Sequence, residues 1–112
     1  MASYEGPADR LELYEAAVAS VEGLERKGAT MPYTSRNGHM TSFLDKEGSV
    51  AIRLSPHERE EFFSNFDSSV PVQHGREMKE FAVVPGSLLA DTVELAGWLK
   101  RGNDWVGTLK PK

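Results

Sequence analysis

The Asn37-Gly38 pair limits what this chain can fold into more than any other feature. It stands between "TMPYTSR" and "HMTSFLD", two runs of strand-forming residues. A two-residue connection between antiparallel strands needs positive φ at both central positions, and Asn and Gly reach that at the least cost. Such a turn also sets register: Arg36 faces His39, Thr34 faces Thr41 and Pro32 faces Phe43. With side chains alternating, Met31, Tyr33, Met40 and Leu44 then share one face.

A second turn supports the same assignment. In "DKEGS", Gly48 can supply the left-handed residue of a three-residue loop, Lys46-Glu47-Gly48. Leu44 then lies beside Val50, on the side that also takes Ile52 and Leu54. Two independent turns thus predict one apolar side for three antiparallel strands. The other side holds Thr34, Arg36, His39, Thr41, Phe43, Ala51 and Arg53. That mixed, basic surface suits a half-wet sheet face or a face that meets a partner.

The flanking segments read as helices. Leu11, Tyr14, Val18 and Val21 recur at three- and four-residue spacing, with Ala17 and Leu24 joining the stripe. Asp9 and Glu12 form a capping-box pattern, Arg26 and Lys27 suit a helix C-terminus, and Gly28 suits the position after it. These signals predict a helix over residues 10–27. Ser55, Pro56 and Glu58 open a second helix of about 55–66, with Phe62, Phe63 and Phe66 toward its inner side. Residues 67–85 read as strand, a tight turn near His74-Gly75-Arg76, and a longer strand ending at Pro85. Asp91 and Glu94 cap a last helix that runs toward Gly102, with Trp105, Val106 and Leu109 docking the tail.

The order is helix, three strands, helix, two strands, helix, in one domain spanning 1–112. It implies an α+β fold with a five-stranded, mainly antiparallel sheet and helices largely on one face. A chain of 112 residues can bury a core of its own. With no cysteine, disulfides and thiolate metal sites are excluded. There is no 18-residue apolar run, and the N-terminus lacks a basic stretch followed by an apolar one. Neither a membrane span nor an export signal is expected, and the cytoplasm is the expected location.

Charge bears on partners. The net charge of −4 disfavours nucleic acid, because phosphate neutralisation supplies most non-specific affinity. Residues 98–112 are nonetheless basic, with Lys100, Arg101, Lys110 and Lys112 against Asp104. His39, His57 and His74 show no metal-ligand spacing, and no Gly-x-Ser-x-Gly pattern or other nucleophile signature is present. The sequence therefore gives no catalytic residue, no cofactor site and no metal site. Glu58, Glu60 and Glu61 suit the positive end of a helix dipole.

"MPYTSRNGHMTSFLD", "SVAIRLSPHEREEF" and above all "GREMKEFAVVPGSLLADTVELAGWL" resemble the TfoX N-terminal-domain family over about residues 28–109. Family members often carry glycines after the first Met, where Pro32, Tyr33 and Thr34 stand here. The resemblance implies an α+β fold similar to secretion-chaperone-like and YjbR-like domains. Its namesake regulates bacterial competence, and no catalytic residues carry over. The expectation is a small non-enzymatic interaction or regulatory domain, monomeric or weakly dimeric, that binds a protein partner. Arg36, His39, Phe43 and Arg53 are the candidate partner-binding residues. The alternative is a nucleic-acid-associated module using Arg36, Arg53, Arg76, Lys79 and the basic tail.

The turn itself generates a test. Gly38→Val places a β-branched side chain where positive φ is required. It should destabilise the domain by about 1–3 kcal/mol in urea unfolding.

Overall fold

Asn37 and Gly38 take φ of 56° and 81°, and Gly48 takes 89°, so both turns form as their residues require. These values come from a computed structural model, which describes residues 4–111. The elements in order are α1 (Ala8–Ala19), β1 (Tyr33–Arg36), β2 (His39–Leu44), β3 (Val50–Arg53), α2 (Pro56–Asn65), β4 (Val72–Gln73), β5 (Arg76–Glu77), β6 (Phe81–Val84), α3 (Gly86–Leu89) and α4 (Thr92–Val106). The fold is α+β. Among the described residues, β1-β2-β3-β6 form a four-stranded antiparallel sheet, and β4-β5 form a separate hairpin.

The expected five-stranded sheet therefore has four strands: the strand before the turn pairs only with β5, and the longer strand expected after it is divided into β5 and β6. A turn at Met78–Glu80, closed by Phe81 N–H donating to Met78 O at 3.0 Å, separates β5 from β6. The hairpin turn sits at His74-Gly75, with φ of 54° and 76°.

Register follows the sequence reading from Arg36↔His39 only as far as Ser35↔Met40. There a bulge adds Thr41 to β2, so Thr34 pairs with Ser42 and Tyr33 with Phe43. Thr34 does not pair with Thr41, nor Pro32 with Phe43. A bulge places two residues opposite one and reverses the alternation beyond it. Met40 thus joins Tyr33 and Phe43 on one side, while Arg36 and His39 go to the side of Thr34 and Ser42. Leu44, Val50, Ile52 and Leu54 share the buried side as expected, but Met40 lies opposite and Met31 is 40% exposed.

Hydroxyl chemistry sits at the bulge. Thr34 Oγ1 lies 2.6 Å from both Thr41 Oγ1 and Ser42 Oγ, and Ser42 Oγ lies 2.6 Å from Tyr14 OH. All four side chains are buried. A buried hydroxyl without a partner is costly, so each of these groups holds the next in place.

The main core joins Leu44, Val50, Ile52 and Leu54 to Val18 of α1, Phe62 of α2, Leu88 of α3, and Leu95 and Leu99 of α4. All four helices thus pack on one sheet face. A smaller cluster on the other face holds Phe43, Ala51 and Phe81, with Tyr33, Met40 and Met78 around them. Both faces of β6 are consequently used, Ala82 and Val84 on one and Phe81 on the other.

The helix ends show where local signals decide. Ser55 Oγ accepts from Glu58 N–H at 3.2 Å, and Asp91 Oδ1 accepts from Glu94 N–H at 3.2 Å, as the capping patterns predict. The first helix differs from its expected span of 10–27. It begins after Pro7, so Asp9 lies in its first turn rather than at its cap. It ends at Ala19, where Ser20 and Val21 N–H bond three residues back to Ala17 O and Val18 O. The chain then turns through Gly23 at φ 82°, and Val21 and Leu24 reach the core from that segment. Gly28, at φ 80°, serves a loop closed by the Lys27↔Tyr33 bridge. The last helix runs past Gly102, whose position is set by packing: a Cβ there would strike the Arg53 carbonyl oxygen.

Burial, opposed by the Ser42 and Thr34 hydroxyls, pushes the Tyr14 phenol up to about 12 from its ordinary 10.0. The neutral phenol is favoured in the folded state, so its contribution is complete below pH about 10 and is lost as pH rises toward about 12. Urea midpoints should fall over that range, and Tyr14→Phe should flatten the fall.

Candidate functional site

The four residues expected to meet a partner fall into two places. Arg36 and His39 sit at the hairpin corner, turned by the bulge toward α4. Arg36 Nη1 donates to Asn103 O at 3.2 Å and lies 3.8 Å from Asp104. Asn37 Nδ2 lies 3.4 Å from both Val106 O and Gly107 O. His39 Nε2 lies 3.0 Å from Lys110 O, which can only accept, so that nitrogen carries the proton. The corner therefore adds donors to carbonyls at and just beyond the C-terminal end of α4, and the Arg36 charge complements the negative end of the helix dipole.

Phe43 and Arg53 belong to the second sheet face. Phe43 is 1% exposed and packs on Phe81 with ring centroids 5.4 Å apart. A partner has no access to it in this arrangement. Arg53 lies over the Phe81 ring at 4.7 Å, donates to Met40 O at 2.7 Å and pairs with Glu80 at 2.5 Å. The four residues do not form one exposed patch.

Other basic groups of the nucleic-acid alternative are similarly engaged. Arg101 binds Glu61 at 2.9 Å and Glu58 at 3.1 Å and stacks on Trp98 at 4.1 Å. That pairing, chiefly the Arg101 hydrogen bond, lowers the Glu61 carboxyl below the usual carboxylate value. Lys100 binds Asp104 at 2.8 Å. Arg76 and Lys79 are exposed. Among the described residues no group of three or more His, Cys, Asp or Glu could hold a metal ion, and no helix is long and apolar enough to cross a membrane.

A different surface gathers exposed apolar and charged groups. At the far end of β2, an open groove of about 610 Å³ lies between the 45–49 loop, the 28–31 loop and the β4-β5 hairpin. Met31 and Val72 face it, 40% and 58% exposed. Glu5, Asp45 and Glu47 line it against a single lysine, Lys46.

Asp45 organises the groove. Its Oδ1 accepts from Ser49 N–H at 2.9 Å and Glu47 N–H at 3.1 Å, and its Oδ2 from Gln73 Nε2 at 3.2 Å. One carboxylate thus holds the β2-β3 turn and fastens the hairpin to it. Tyr4 OH donates to the Asp45 carbonyl at 2.5 Å. Burial first, then the charges of Asp45 and Glu47, raise the Tyr4 phenol above its ordinary value.

Sequence reasoning missed this groove. Asp45 carried a usable signal, since Asp opening a turn commonly bonds the backbone two residues on. Met31 fits the strand pattern equally well as a core residue, and nothing near Val72 marks it as exposed. No protein-family model matches the chain, and no curated protein or solved structure matches it.

Arg53 generates the test of this geometry. Its side chain is only 15% exposed and charge-assisted hydrogen bonds hold it. Arg53→Glu should destabilise the fold by about 1.5–3 kcal/mol in urea unfolding.

Proposed function

We propose that this is a small non-enzymatic interaction domain of the cytoplasm that binds an exposed segment of a protein partner, as a regulatory domain does. The observation that carries this reading is the groove at the end of β2, where Met31 and Val72 stand exposed beside the exposed carboxylates Glu5 and Glu47. Apolar side chains inside an acidic rim suit a segment that offers an apolar anchor beside Lys or Arg. The anchor supplies buried area, and the charges steer approach and set orientation. The quoted resemblance to the TfoX N-terminal-domain family, and through it to secretion-chaperone-like and YjbR-like architecture, points the same way.

The nucleic-acid alternative has less support. Arg36, Arg53, Lys100 and Arg101 all lie against carboxylates. Charges already neutralised within the protein contribute little to phosphate binding.

Peptide display against the purified protein tests the proposal. Selected segments should combine an apolar residue with Lys or Arg. Val72→Asp, at an exposed site that leaves the fold unchanged, should weaken them about tenfold or more. Selection that ignores apolar residues, or binding undiminished by Val72→Asp, would overturn it. Retention on DNA that falls steeply with salt would favour the alternative.

A further inference from the structure

Glycine weakens a helix, and Gly97 sits in the middle of α4 without an internal reason to be there. Gly102, in the same helix, is required because a Cβ would meet the Arg53 carbonyl. A Cβ on Gly97 would meet nothing within 4 Å. Gly97 faces outward, at a shallow depression of about 290 Å³ between α4 and α2. One turn before it stands Val93, 84% exposed, the most exposed of the large apolar side chains among the described residues.

We infer that a second copy of this chain docks here, α4 against α4, antiparallel and crossing at Gly97. Two helices approach closely where a small residue lies at the contact. In a two-fold arrangement about Gly97, a residue a given number of places before it meets the residue the same number of places after it in the other copy. Glu94 of each copy then meets Lys100 of the other, and Val93 meets the Arg101 stem.

The Glu94–Lys100 pairing is therefore made twice across the two-fold, while Arg101 stays with Glu58 and Glu61 of its own chain. Lys100 can exchange its exposed pairing with Asp104, where both side chains are more than half exposed, for Glu94 of the second copy. One helix crossing buries little area, so the dimer is a weak one. This face is distinct from the groove at the end of β2, so either reading can fail without the other.

Sedimentation equilibrium decides the matter. The wild-type protein should show a concentration-dependent monomer–dimer equilibrium. The Cβ of Gly97→Leu meets nothing in the monomer and Leu has the better helix propensity, so its helical signal should be retained while the dimer is lost. Glu94→Lys and Lys100→Glu should each weaken self-association at least about tenfold, by placing like charges together. Mixed in equal amounts, these two variants should associate again, because both cross-pairs become attractive in the heterodimer. A wild-type protein monomeric to about 1 mM, a Gly97→Leu variant that dimerises as wild type does, or a mixture that stays monomeric would each overturn the inference.

Discussion

Thr34 accepts two neighbours where a regular strand would give it one. Its hydroxyl touches both Thr41 and Ser42, and Ser42 in turn reaches Tyr14 on α1. The extra residue that makes this possible reverses the alternation of β2, and the faces of the hairpin follow from it. Without the bulge, Met40 would enter the helix-covered core and His39 would face away from α4. With it, the hairpin corner turns to the end of α4 and Met40 helps to close the second face. Burial makes the arrangement exacting, since a hydroxyl out of register would lose its partner in an apolar surrounding.

The last helix is consequently fixed at two separate points. In its second half, Gly102 lets the helix backbone approach the Arg53 carbonyl closely. At its end, Arg36 and Asn37 add a second donor to the Asn103 and Val106 carbonyls, and His39 bonds Lys110 O just beyond the helix. Leu99 before the glycine and Val106 after it are buried. Helix and hairpin orient each other, which is why residues so exposed by composition lie against the protein's own backbone.

What could be read from the sequence was local. Asn37-Gly38, Gly48, Ser55 and Asp91 each act through a backbone conformation or a hydrogen bond within a few residues, and each acts as its type implies. The four-strand count and the bulge depend on contacts between distant segments. Ser42 has no reason to displace Thr41 opposite Thr34 until Tyr14 is beside it. The candidate partner residues were misplaced for the same cause, since strict alternation put Arg36, His39, Phe43 and Arg53 on one wet face. The groove was hidden because exposed Met31 and Val72 fit the same strand pattern as buried residues would.

The hairpin β4-β5 leaves and rejoins the sheet at neighbouring points. Val83 N–H donates to Ser69 O at 3.0 Å on the way out, and Leu54 N–H donates to Glu80 O at 3.1 Å on the way back. The ends of this excursion are thus held by the sheet, and its tip at His74-Gly75 has open space beside the glycine. For a loop pinned in this way, the entropy of closure grows only with the logarithm of length. The reach of one wall of the groove can change by insertion at that tip while the four-stranded sheet keeps its pairing. The shape of the groove thus has an inexpensive route to variation through this one excursion.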